Sequence, residues 1–255
     1  MRLAAIICVW ADCKELLPYC IENISPVVNK VIVVYSETSN RGNHNDGITE
    51  LVFSKLPCQW VKLEPEKGLS PHANETRKRN FGLEVPKTQG FTHFLMMDAD
   101  EFYIQDEVQK EKTLMEEQSL NGLVCHTKVY IKNPTLSCDD HTLVPFIHKL
   151  YKNTILGCYK HYPFNQDAEG NSHIDPTRRP NIFDRIAMSD IHMHHMSYIR
   201  ADIELKINNS SANLKRSEDV IREELINAKP GYVSKLYHKE LKETEDIFKL
   251  QQIVV

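Results

Sequence analysis

The chain has 255 residues, with 31 Lys and Arg against 35 Asp and Glu, a formal charge of −4, 41% hydrophobic and 26% charged residues. This apolar content excludes a disordered chain and is enough for one large core. The near-neutral balance, with a pI of about 6.3, supplies no global field for nucleic acid, although a local basic patch is compatible with it.

Leu3 to Trp10 is the longest apolar run near the start, under half the length that spans a bilayer, and no signal-peptide cleavage site follows it. The expectation is a cytoplasmic protein without a transmembrane segment. Seven cysteines, at 8, 13, 20, 58, 125, 138 and 158, contain no Cys-x-x-Cys pair and read as reduced, mostly packed thiols. The Asn-x-Ser/Thr triplets at Asn23, Asn74 and Asn209 read as chance matches.

In chain order, Leu3 to Trp10 reads as a strand, Cys13 to Asn23 as a helix and Val31 to Tyr35 as a second strand. Continuous apolar strands alternating with helices predict a sheet covered on both faces. Residues 36 to 49 read as a loop and Gln59 to Leu63 as a short strand. Ser70 and Pro71 supply an N-cap and first-turn proline for a helix to about Val85, ended by Pro86 and Gly90. Phe94 to Met97 reads as a buried strand, 106 to 119 as an amphipathic helix, and Gly122 to Lys132 as a strand. Residues 134 to 190 read as loop-rich, suited to an acceptor-binding insertion, and Ser189 to Ser197 as a strand. Helices are expected over Arg200 to Asn208, Ser217 to Ala228 and Lys235 to Leu250. The simplest division is an α/β sheet domain over 1–200 and a helical extension over 201–255, which either braces the site or pairs subunits in an oligomer.

The strongest chemical signal is Phe94-Leu-Met-Met-Asp98-Ala-Asp100-Glu-Phe102, a buried strand ending in three carboxylates. Such a cluster repels itself unless a cation compensates it. Mn²⁺ or Mg²⁺, held by one or two carboxylates plus substrate phosphates, suits Asp-x-Asp at a strand end. Capping of the following turn is the bland reading of the same acids. Ile191-His192-Met193-His194-His195 is the second signal: on a strand His192 and His194 share one face and His195 takes the other. One of these imidazoles is a candidate ligand beside Asp100. The third is Asn74-Glu-Thr-Arg77-Lys-Arg79-Asn80, where Asn74, Arg77 and Asn80 share a helix face that meets a charged ligand or is simply solvated.

These residues, in this order, resemble the nucleotide-sugar domain of family-2 glycosyltransferases of the GT-A fold, a mixed, mainly parallel sheet between helices. The resemblance rests on the opening strand ending at Trp10-Ala-Asp12, the Val31 to Tyr35 strand, Arg79-Asn80, and Met97-Asp98-Ala-Asp100-Glu; His192 to Arg200 is similar to a segment of bacterial and phage members. It implies sugar transfer from a nucleoside diphosphate, UDP first, with Asp98 and Asp100 and one of His192 or His194 on a Mn²⁺ or Mg²⁺ ion. Trp10, Asp12, Ser36, Glu37, Arg77, Arg79, Asn80 and Asp98 are then the donor-binding residues. Tyr35-Ser36-Glu37 stands where the family usually has an Asp pair, so base contacts do not carry over.

An inverting reaction needs a carboxylate to take the acceptor proton, for which Asp167, Glu169, Asp175 and Asp184 are available. Asp175, in an Asp-Pro turn beside Arg178 and Arg179, is the first choice and Asp184 the second. The acceptor is a glycan, a lipid-linked precursor or a hydroxymethylated DNA base. A metal-dependent phosphoesterase and a non-catalytic sugar or nucleotide module are the alternative functions.

Overall fold

The computed structural model describes residues 1–166, 173–209 and 218–253. The elements are β1 (Leu3–Val9), α1 (Leu17–Ile24), β2 (Lys30–Tyr35), α2 (Thr49–Val52), β3 (Gln59–Lys62), α3 (Pro71–Thr88), β4 (His93–Asp98), β5 (Glu101–Phe102), α4 (Gln105–Glu117), β6 (Gly122–Ile131), β7 (Leu136–Lys149), β8 (Leu156–Gly157), β9 (Arg179–Pro180), β10 (Ile186–Tyr198), α5 (Ile203–Asn209), α6 (Glu218–Asn227) and β11 (Lys242–Glu243). The main sheet runs β3-β2-β1-β4-β7-β6-β10-β5, with β11 on β7, and helices cover it. The pairings β3–β2–β1–β4 and β6–β10 are parallel, and β7 is antiparallel between β4 and β6. This is the α/β class that the continuous apolar strands imply.

β1 buries both faces because it is central: Ala5 and Ile7 join the α1 side of the core, and Ala4 and Ile6 the α3 side. α3 starts where Ser70 accepts from the Ala73 amide, with Pro71 in the first turn. It runs past the expected end at Val85, because Pro86 falls in the last turns and is buried against the sheet; the chain leaves the helix only before Gly90, at φ 70°. Gly82 is where this helix touches the sheet. A Cβ there would lie 2.6 Å from Ile6 Cγ2 and 2.9 Å from Val34 Cγ2.

The expected loop region 134–190 contains a long strand instead, β7 of 14 residues, and the expected strand over Ser189 to Ser197 is β10, which begins three residues earlier, at Ile186. The polar run Ser137 to Thr142 hides β7 from a hydrophobic pattern, although it is bonded to β6 on one side and β11 on the other. β4 pairs only with the far end of β7, Leu95 opposite Ile147. The antiparallel register therefore carries the first half of β7, with the ends of β6 and β10, past the carboxyl end of β4 as a wall.

The expected helix over Lys235 to Leu250 is absent. Left-handed φ values at His238 and Lys249 break it, and Val233 bridges Glu240 in a turn built around Ser234. The described residues after 200 pack on the sheet: Ile207, Ile221, Ala228, Tyr237 and Leu241 cover Val129, Ile131, Leu136 and Tyr198. Among the described residues no helix is long and apolar enough to cross a membrane. Cys13, Cys20, Cys125 and Cys138 are buried free thiols, whereas Cys158 is exposed.

Gly82→Ala sets the helical advantage of Ala, about 1 kcal/mol, against overpacking of about 1–3 kcal/mol where both clashing methyls belong to central strands. Overpacking wins, so the variant should unfold at lower denaturant than the parent; an unchanged or higher midpoint would show that the helix does not rest this closely on the sheet.

Candidate active site

A cleft of about 920 Å³ opens at the carboxyl ends of β1 and β4 and is lined by Trp10, Asp12, Lys78, Asp98, Asp100 and Glu101, with His195 and Lys206 opposite. Such strand ends are where open α/β sheets bind ligands. The three acids are held in two groups.

In the first, Arg178 forks onto Glu101, with Nη1–Oε2 2.9 Å and Nη2–Oε1 2.5 Å, and also donates to Asp98 Oδ2. Arg79, fully buried, donates to Asp98 at 3.1 Å and to Glu75 at 2.6 Å. Asp175 Oδ2 lies 3.4 Å from Arg178 Nε and 3.7 Å from Arg79 Nη2. Burial opposes ionisation of Asp98 and Asp175, but the two guanidinium groups outweigh it and hold both below the usual carboxylate range. For Glu101 burial wins, pushing it up to about 7 against Arg178.

In the second, Asp100 is 1% exposed and accepts on Oδ2 from Arg200 at 2.7 Å and Lys206 at 3.1 Å. Its Oδ1 faces His195 Nε2 at 3.8 Å. Burial resists the charge on Asp100, but Lys206, His195 and Arg200 overcome it and hold the acid well below the carboxylate range. Asp12 sits behind the same cations, 3.7 Å from Arg200 and 3.8 Å from Lys206. Burial lowers the pKa of the His195 imidazole, against the pull of Asp100.

The structure therefore brings His195, not His192 or His194, to Asp100. Strand alternation is the reason: Met193, His195 and Ser197 line the cleft. His192 stacks on His126 at 5.6 Å, and His194 bonds Tyr130 Oη through Nδ1 at 2.8 Å and packs on Phe248. Burial pulls His194 down to about 3, so it is a neutral core residue.

The α3 face toward the cleft is also a different one. His72, Glu75 and Lys78 line it, whereas Arg77 donates to Glu64 O at 2.9 Å and Asn80 pairs with the backbone of Leu156. Arg77 and Asn80 thus fasten neighbouring loops, and Asn74 clamps the backbone of Glu66. Lys78 Nζ donates to Ser36 Oγ at 2.6 Å and Val9 O at 3.0 Å, and burial lowers its pKa. Trp10 donates from Nε1 to Glu37 O at 3.1 Å, while the Glu37 carboxylate pairs with Lys62 at 2.8 Å. Asp184 accepts from Asn121 at 3.0 Å just before Gly122, the amino end of β6, and so lies away from the cleft. Asp167 and Glu169 fall outside the described residues.

Sequence reasoning did not single out Lys78, Arg178, Lys206 or His195 as site residues. The outward alternate of the His run and the Arg178-Arg179 pair after Asp175 were the available signals. Among the described residues no group of three or more His, Cys, Asp and Glu forms a ready metal cage; Asp100 and His195 form a pair.

No family model and no curated protein matches this chain. Among solved structures it is similar to S. aureus TarS 1-349, at 17% identity over 89% of this chain and 71% of that one, with a TM-score of 0.44. The same protein crystallised with UDP-GlcNAc matches at 17% identity, 89% and 72% coverage and a TM-score of 0.43. CMP:2-keto-3-deoxy-manno-octonic acid synthetase with CTP matches at 12%, over 53% and 58%, with a TM-score of 0.36. The chain spans 43% of the longer TarS chain.

Removing Arg178 would strand Glu101 and leave Asp98 with Arg79 alone. Arg178→Met should cost about 3–5 kcal/mol at pH 8. A carboxyl whose folded pKa is raised gains relative stability as pH falls, so the deficit should shrink between pH 8 and 5 as Glu101 takes up a proton. Urea titrations at the two pH values read this; an equal deficit at both would mean that Glu101 is not the group left uncompensated.

Proposed function

We propose that the cleft binds a nucleoside diphosphate sugar, UDP-linked first, together with Mn²⁺ or Mg²⁺, and transfers the sugar to an acceptor hydroxyl. The observation that carries this reading is the approach of buried Asp100 to His195 across 3.8 Å, in a cleft at the strand ends. Two metal–ligand bonds of about 2.1 Å can span that separation. Mn²⁺ and Mg²⁺ ordinarily take one or two protein ligands and complete their shell with phosphate and water, so a pair is a sufficient donor set. Asp98 Oδ2 accepts from both Arg79 and Arg178 and its Oδ1 lies 3.1 Å from Arg79, which suits it to positioning rather than to ligation.

A cation held there would offset charge growing on the diphosphate. Lys206 and Arg200, already beside Asp100, add fixed positive charge on the same side. Asp12, Trp10 and Lys78 form the part of the cleft suited to the nucleoside, while Ser36, expected beside it, is buried and accepts from Lys78 without lining the cleft. In the transfer the bond from the anomeric carbon to the diphosphate oxygen breaks, the nucleoside diphosphate leaves with the electron pair, and the acceptor oxygen bonds to carbon. Asp175 lines the cleft and is ionised by its two arginines, so in an inverting reaction it is the carboxylate to receive the acceptor proton.

Asp100→Asn is a poor test, because it would leave two buried cations without their acid. His195→Gln is better, since the imidazole is 28% exposed and strands no charge. In calorimetric titration with UDP, Mn²⁺ should tighten binding to the parent, and His195→Gln should lose about tenfold or more of that enhancement with its melting temperature little changed. UDP binding that ignores Mn²⁺, or an enhancement that survives in the variant, counts against the reading.

A further inference from the structure

The wall that rises past β4 carries an arrangement that the donor chemistry does not use. Thr127 on β6 and Asp140 on β7 are cross-strand partners, Met193 on β10 is the neighbour of Thr127 on its other side, and all three line the cleft. Thr127 is 2% exposed, and its Oγ1 has no hydrogen-bond partner. The Asp140 side chain is 7% exposed and its Oδ1 has none either; His141 Nδ1 lies 3.1 Å away without hydrogen-bond geometry. Leaving buried oxygens unmatched is costly, and native folds rarely tolerate it without a functional reason. Here two stand side by side on the face of an open cleft.

The wall is chemically one-sided. Its nearby cations are engaged within the chain: Arg178 by Asp98, Glu101 and Asp175, and Arg179 by the carbonyls of Ile174 and Tyr159. The wall also meets the loop that holds the acceptor-side acid, since Leu143 bridges Ile174 next to Asp175.

We infer that Thr127 and Asp140 form the acceptor subsite, built for an uncharged, hydroxyl-rich molecule, a sugar or polyol. Its hydroxyls donate to Asp140 and exchange hydrogen bonds with Thr127, while Asp175 takes the proton of the reacting hydroxyl. This assignment rests on the nucleotide-sugar reading above. Nucleic acid fits the wall poorly, because phosphate recognition draws on Lys and Arg, and a carboxylate would repel it.

Thermal denaturation tests the subsite without requiring turnover. UDP and Mn²⁺ are added first; their failure to stabilise the parent would overturn the nucleotide-sugar reading and this subsite with it. Neutral mono- and disaccharides and sorbitol are then compared with duplex DNA containing 5-hydroxymethylcytosine. At least one neutral probe, at about ten times its Kd, should raise the melting temperature by about 3 °C. Asp140→Asn and Thr127→Val should each abolish that shift, and Thr127→Val, which removes an unmatched hydroxyl, should itself melt no lower than the parent. A shift from DNA alone, no shift from any neutral probe, or a neutral-sugar shift that persists in both variants would overturn the assignment.

Discussion

Three acidic residues at the end of one buried strand can stay together only where cations from distant parts of the chain reach them. β4 delivers Asp98, Asp100 and Glu101 within four positions, and Asp100 and Glu101 are each 1% exposed. Arg79 comes from α3, Arg178 from the segment before β9, and Arg200 and Lys206 from the end of β10 and from α5. Buried ion pairs contribute little net stability over apolar packing, but breaking one is expensive. Their effect is therefore to pin position: the acid cluster fixes where the 174–179 loop and the C-terminal segment sit.

The two halves of the cluster differ in what they leave open. Around Asp98 and Glu101 the oxygens are taken up by guanidinium groups. Asp100 has one oxygen under Arg200 and Lys206 and turns the other toward the His195 imidazole. The cleft is thus divided into a floor braced by Arg79 and Arg178 and an edge where one Asp100 oxygen faces His195 instead of a cation-bearing side chain. The C-terminal segment, through Lys206, belongs to that edge.

Much of this was legible from residue order. The apolar strands at 3, 31 and 94, the Ser70-Pro71 helix start and the acid-terminated strand all lie where the pattern put them, because local burial dictates them. The failures have physical causes. β7 is written in polar residues because half of it forms a cleft wall rather than core. The α3 face chosen by spacing, at 74, 77 and 80, is the one that holds loops, whereas the register onto the sheet turns 75 and 78 to the cleft. Alternation along β10 separated His195 from His192 and His194 correctly, but which face met Asp100 depended on β5 folding back beside His195. Ion pairs between residues 77 to 106 positions apart leave no local trace at all.

The central claim is that one cation is shared between Asp100, His195 and a bound diphosphate. Electron–nuclear double resonance on Mn²⁺ added to the protein with UDP reads this directly. The account predicts coupling to one imidazole ¹⁴N and to ³¹P, with the nitrogen coupling lost in His195→Gln; a Mn²⁺ signal with phosphorus coupling but no nitrogen coupling in the parent protein would contradict it.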